Sequence, residues 1–177
     1  MIEDIIITDL RDAESYAYSP TKRTYNIWIS TVDEEHRSKA KRIENLLAKK
    51  NIKHFCQFFY DWSEEDNPIF KHLEKDAPTM KHIERIISFL LPYSIDDKPH
   101  NLGINCFAGI SRSTAVGIIA LVMSGKTPKM ALDYILVIRP MAWPNLRMLR
   151  FASEILGQDL VSPVVEYKNS MEGEIIV

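Results

Sequence analysis

The chain has little of what stapled or metal-built small proteins rely on: its 177 residues include only two cysteines, Cys56 and Cys106, and six glycines. Two thiols allow one bridge at most, which excludes a disulfide framework. None of the five histidines forms a zinc-ligand spacing with either of them, so a structural metal is not expected. Basic excess is also missing. With 22 Lys+Arg against 24 Asp+Glu, a net charge of −2 and a pI near 6.2, neither nucleic acid nor an anionic membrane is expected as the main partner. No stretch approaches the roughly 20 apolar residues of a membrane span. The opening MIEDIIITDL carries acids where a secretory signal carries bases. A cytoplasmic, monomeric protein is therefore expected.

What is present is an ordinary globular composition, 46% hydrophobic and 26% charged, in a chain long enough to bury its own core. The β-branched runs Asp4 to Thr8 and Asn26 to Ser30, the aromatic-rich Ile52 to Tyr60, and His100 to Cys106 read as strands. Between the second and third, Glu34 to Lys50 places Ala40, Ile43, Leu46 and Leu47 on one helical face and a basic run from Lys39 to Lys53 around it, read as a solvated face.

From Thr79, the positions Met80, Ile83, Ile86, Ile87, Leu90 and Leu91 repeat as a helix stripe that Pro92 is expected to close. STAVGIIALVM is apolar on all sides, which predicts a central helix stopped at Gly125. Thr127-Pro128 and Trp143-Pro144-Asn145 open two further helices, the last ended by Gly157. Strands alternating with helices imply an α/β fold: a central, mostly parallel sheet of four to five strands with helices on both faces. Residues 1–157 read as a single domain, and 158–177 as a tail with no clear period.

The informative segment is Asn105 to Ala115, NCFAGISRSTA, at the turn from the last strand into the apolar helix. A bare C-x5-R pair arises readily by chance, but Gly109 at the third position and Ser113 after Arg112 make the match far rarer. A six-residue loop running into a helix N-terminus turns backbone N–H groups inward, a nest for a tetrahedral dianion such as phosphate. Phe107, Ala108, Gly109, Ile110, Ser111 and Arg112 would line it. Arg112 can add a bidentate fork, and Gly109 permits a backbone conformation other residues avoid. The same positive field is expected to favour the Cys106 thiolate, a nucleophile. Ser113 is placed to hydrogen-bond the sulfur.

At these residues the chain resembles the cysteine-based protein phosphatases, particularly the dual-specificity branch, whose loop reads H-C-x-x-G-x-x-R-[S/T] and often contains A-G-x-S-R-S. Arg139-Pro140-Met141-Ala142-Trp143-Pro144-Asn145 is similar to the R-P-x-x-x-P-N stretch of that branch. The resemblance implies a three-layer phosphatase fold and a metal-independent, cofactor-free phosphomonoesterase acting through a phosphocysteine. Phosphotyrosine is the implied substrate, with phosphoserine and phosphothreonine as a wider set. Asn105 departs from the family, standing where it has His.

The resemblance also implies an aspartic general acid on a loop after the preceding strand. Asp61, in FYDW, fits best, with Asp76 and Asp66 as rivals. Ser63 to Ala77 reads as an insert, taken as a lid over the phosphate loop. Cys56 reads as a core thiol, with a disulfide to Cys106 as the lesser option. Two other functions stay open: a phosphate-binding module without turnover, and a phosphatase of a phosphoinositide, RNA 5′-phosphate or nucleotide. The uncharged loop side chains argue against the latter.

Overall fold

The computed structural model describes residues 1–18, 25–64 and 68–174. Four strands, β1 (Ile2–Thr8), β2 (Ile27–Val32), β3 (Lys53–Phe58) and β4 (His100–Asn105), form one sheet in the order β1-β4-β2-β3, with every pair parallel. β2 lies inside the sheet and is buried along its whole length, as a strand covered on both faces must be. Its side chains alternate between two cores. Ile27 and Ile29 join the larger, while Trp28 and Val32 join the smaller.

The smaller core is closed by α1 (Leu10–Tyr18) and α2 (Arg37–Ala48), through Leu10, Ala13 and Ala17 on one and Ala40, Ile43 and Leu47 on the other. Lys39 and Arg42 of the basic face both reach Glu14 at 3.2 Å, tying the two helices together. The larger core holds α3 (Met80–Ile95), α4 (Arg112–Met123), α5 (Pro128–Ile138), α6 (Leu146–Leu156) and α7 (Ser162–Glu174). Residues Arg112 through Val122 of α4 are all buried, as the unbroken apolar run predicts. The α/β architecture with helices on both faces is thus the one read from the sequence, with four strands.

The structure adds to or changes the sequence reading at three places. α1 lies in a segment to which that reading assigns no element: its buried stripe is Leu10, Ala13 and Ala17, and two alanines give a weak hydrophobic signal. α3 continues through Pro92 to Ile95. Proline removes only one bond of the last turn, and that turn is held by the Phe89–Tyr93 and Tyr93–His100 ring contacts, with centroids 5.6 and 5.1 Å apart. Beyond Gly157, Leu160 and Val164 are fully buried in the larger core, which seats α7 against α5.

Candidate active site

All the chemistry-bearing residues gather at the carboxyl ends of the parallel strands, where open α/β sheets bind their ligands. Thr8 ends β1, Asp33 follows β2, Phe59 to Asp61 follow β3, and Cys106 follows β4. From Cys106 the chain curls through residues 107–111 into the N-terminus of α4, with Gly109 at φ +70°. A Cβ at Gly109 would lie 2.8 Å from the Thr8 carbonyl group and 2.9 Å from Arg139 Nη2, so glycine is required by both backbone and space.

Each carbonyl from Phe107 to Ser111 is held by a donor. Leu10 N donates to Phe107 O at 3.1 Å. Arg139 donates through Nη2 to Ala108 O at 3.0 Å and through Nε to Gly109 O at 2.9 Å. Trp143 N donates to Ile110 O at 2.9 Å and Ala115 N to Ser111 O at 3.1 Å, and Thr114 Oγ1 reaches both of those oxygens. Because the C=O and N–H of one peptide unit point in opposite directions, five outward carbonyls leave the following amides facing the hollow of the loop. Arg139 of the R-P-x-x-x-P-N stretch thereby shapes the loop, a role the sequence reading did not give it.

Inside the hollow, two donors converge on Cys106 Sγ: Gly109 N at 3.1 Å and Ser113 Oγ at 3.2 Å. Arg112, 2% exposed, is gripped end-on by Asp33. Nη1 donates to Asp33 Oδ1 at 2.8 Å and to Phe59 O at 2.6 Å, and Nη2 approaches Asp33 Oδ2 at 3.5 Å. Of the five guanidinium N–H groups, the Nε–H and the second Nη2–H remain, and these form the side edge that matches two oxygens of a tetrahedral anion. Nε is buried without a hydrogen-bond acceptor. Sequence reasoning missed Asp33. The signal available was an acid directly after a strand at the same sheet edge as the cysteine loop.

Asp61 is brought to the loop wall. Its Oδ1 accepts from Ser111 Oγ at 2.7 Å and from Asn145 Nδ2 at 2.9 Å, while Oδ2 stands 3.6 Å from Arg112 Nε. Asp76 is not brought there: its side chain is half exposed beside Lys75, and only its backbone oxygen meets the site region, accepting from Tyr60 N. Asp66 lies outside the described residues. Asn145 also caps α6, its Oδ1 accepting from Met148 N at 3.0 Å, so it both caps and organises. The 3-10 segment Pro68–Asp76 of the insert returns beside the end of β3, and residues 65–67 of it lie outside the described residues.

Asn105 is fully buried, and its orientation is chemically forced. Trp28 Nε1 can only donate, so the atom it meets at 2.8 Å is the amide oxygen. Ser30 Oγ donates to the same oxygen at 2.7 Å and therefore accepts from His54 Nε2 at 2.8 Å. Gly103 makes room for this, since a Cβ there would lie 2.0 Å from the Trp28 ring. The amide oxygen thus accepts from two side chains of β2.

Burial holds the His54 pKa down at about 4, against an ordinary 6.5. Between those values the unfolded chain binds a proton that the folded chain refuses. Stability is therefore full above pH 6.5 and falls on acidification towards pH 4, by about 3 kcal/mol at the limit. Thermal melts across that range should show the slope, and His54→Gln, which keeps an N–H donor without titrating, should flatten it. An unchanged slope in that variant would place the acid sensitivity elsewhere.

Cys56 sits on β3, with β2 between it and β4. Two strand spacings, roughly 10 Å, exceed the Cα separation a disulfide spans, so the bridge to Cys106 is excluded in this arrangement. Burial pushes the Cys56 thiol up to about 12, leaving it a core thiol.

No family model matches the chain, and no curated protein matches it. Among solved structures, it is similar to the crystal structure of Tk-PTP in the active form, with a TM-score of 0.54 at 16% identity over 86% of this chain and 91% of that one. The Yvh1 phosphatase domain from Chaetomium thermophilum aligns over 88% of this chain and 93% of that one, at 19% identity and a TM-score of 0.43. The likeness to Tk-PTP is one of fold.

Proposed function

We propose that the protein is a metal-independent phosphomonoesterase that hydrolyses phosphotyrosine, and phosphoserine and phosphothreonine as a wider set, through a phosphocysteine intermediate. The observation that carries this reading is the convergence on one hollow of the Cys106 sulfur, the inward amides of the loop and the open edge of Arg112. The amides and Arg112 hold the three non-bridging oxygens while the Cys106 thiolate attacks phosphorus in line. The P–S bond forms as the P–O bond to the leaving group breaks. Asp61 supplies that oxygen with a proton from Oδ2, since Oδ1 is engaged by two donors. In the second step water attacks phosphorus, Asp61 takes its proton, and the thiolate departs with the Ser113 hydroxyl as hydrogen-bond donor.

An aryl substrate is supported by the loop's rim. Phe107, 55% exposed, stacks on His36 with ring centroids 4.9 Å apart. A cavity of about 440 Å³ opens beside it.

The purified, chelator-treated protein should release phosphate from p-nitrophenyl phosphate and from a phosphotyrosine peptide, and a protein inert towards both would sink the reading. Asp61→Asn should cost about 10²-fold or more with a poor, alkyl leaving group and far less with p-nitrophenol, which needs no proton. If Asp76→Asn gives that split and Asp61→Asn does not, the acid is assigned to the wrong carboxylate.

A further inference from the structure

Asp61 stands on the connection between β3 and α3, so something must hold the carboxylate against the loop. Besides Ser111 of the loop, the contacts that do so come from the N-terminal part of α6. Asn145, at the start of α6, donates to Asp61 Oδ1 at 2.9 Å and to Trp62 O at 3.3 Å. Two and five residues further on, Arg147 and Arg150 share the Glu64 carboxylate: Arg147 Nη1 takes Oε1, and Arg150 Nη1 takes Oε2 at 2.8 Å. Arg147 also donates through Nε to Pro78 O at 2.8 Å. Its guanidinium lies 5.4 Å from the ring centroids of both Trp62 and Phe151. One side chain therefore grips the outgoing chain at Glu64 and Trp62 and the returning chain at Pro78.

We infer that Arg147, with Glu64 and Arg150, is a strap that positions Asp61 for proton transfer, making Arg147 a positioning residue for the general acid. This rests on Asp61 being that acid. Arg147 reaches no atom of the phosphate loop or of Asp61 itself in any described contact. Its influence runs through Glu64 and the Trp62 ring. A general acid is sensitive to such support, because a displacement near 1 Å can cost a factor of about 10². The strap is ionic and its outer partners are solvent-facing, with Glu64 47% and Arg150 40% exposed, so salt should loosen it.

The experiment compares two leaving groups, p-nitrophenol and an alkyl alcohol, in wild type, Arg147→Met, Arg147→Lys and Asp61→Asn. Methionine keeps an unbranched stem against Trp62 and Phe151 but removes every donor. Arg147→Met should lower kcat for the alkyl ester about tenfold and for p-nitrophenyl phosphate by less than about twofold, with KM unchanged. Arg147→Lys should recover part of the loss through Glu64. In the Asp61→Asn background the same substitution should have no further effect on the leaving-group ratio, because the group it positions is gone.

Raising salt on unmodified protein should move the ratio in the same direction, which guards against a variant that merely folds poorly. If Asp61→Asn shows the split but Arg147→Met lowers both substrates equally, or neither, the strap is overturned while Asp61 stands. Indifference of Asp61→Asn to the leaving group overturns the acid assignment and the strap together.

Discussion

Cys106→Ser should abolish turnover of p-nitrophenyl phosphate, by at least about 10⁴-fold, and leave the anion site able to bind. The size follows from what is removed. A hydroxyl at this position lacks a base to ionise it: the groups contacting the sulfur are Gly109 N and Ser113 Oγ, a donor and another hydroxyl. The binding half of the site depends on groups the substitution does not touch. The inward amides are fixed by Leu10, Arg139, Trp143 and Thr114 on the far side of the loop, and Arg112 is fixed by Asp33. The serine variant should therefore retain a phosphotyrosine peptide without releasing phosphate, measurable by calorimetry and by phosphate release on one sample. Residual turnover within tenfold of wild type would remove Cys106 as nucleophile. Intact protein that behaves like the serine variant, binding without a burst of product, would instead favour the phosphate-binding module.

How far the sequence carries depends on whether a residue's role is written in its neighbours along the chain or across the sheet. The loop is local: Cys106, Gly109, Arg112 and Ser113 lie within eight positions, and the strand-to-helix turn that places them is legible from the apolar run that follows. The sheet and its two cores are legible for a similar reason, since β-branched runs and helix stripes repeat at short range. α1 escapes because its buried face is built of Leu10, Ala13 and Ala17, two of them residues that contrast weakly with their surroundings. The outward pinning of the loop by Leu10 N and Arg139 needs three separate segments to meet. A parallel sheet brings distant segments together by crossover connections whose lengths say nothing about which side chains face one another. The network of His54, Ser30, Trp28 and Asn105 is of the same kind, joining three adjacent strands. Asn105 alone shows that the position before the cysteine is neutral. Its partners appear only when β2 is seen to pair with both β3 and β4.

Asp33 is the residue of this class with the largest expected consequence. Asp33→Ala should lower kcat for p-nitrophenyl phosphate by about 10²-fold or more and destabilise the fold by about 2–3 kcal/mol. Removing one partner of a buried pair ordinarily costs ~3–5 kcal/mol, and the lower figure allows for the partners Arg112 keeps, the hydrogen-bond acceptor Phe59 O at 2.6 Å and the charge of the Asp61 carboxylate at 3.6 Å. Those same partners explain why catalysis suffers as well as folding. With its end-on partner gone, the guanidinium is free to turn its side edge, which Asp33 now holds open towards the loop, into a full ion pair with Asp61 Oδ2. That one rotation withdraws the anion clamp and engages the acid's remaining oxygen. Asp33→Asn keeps one acceptor for Nη1 without the charge and should fall between wild type and alanine in both measurements. Inhibition by vanadate, which reports the anion clamp independently of the leaving group, should weaken in step with kcat. Alanine at position 33 with vanadate affinity and kcat within about threefold of wild type would mean that Arg112 is aimed by Phe59 and the α4 backbone alone, and that the Asp33 pair serves the fold rather than the site.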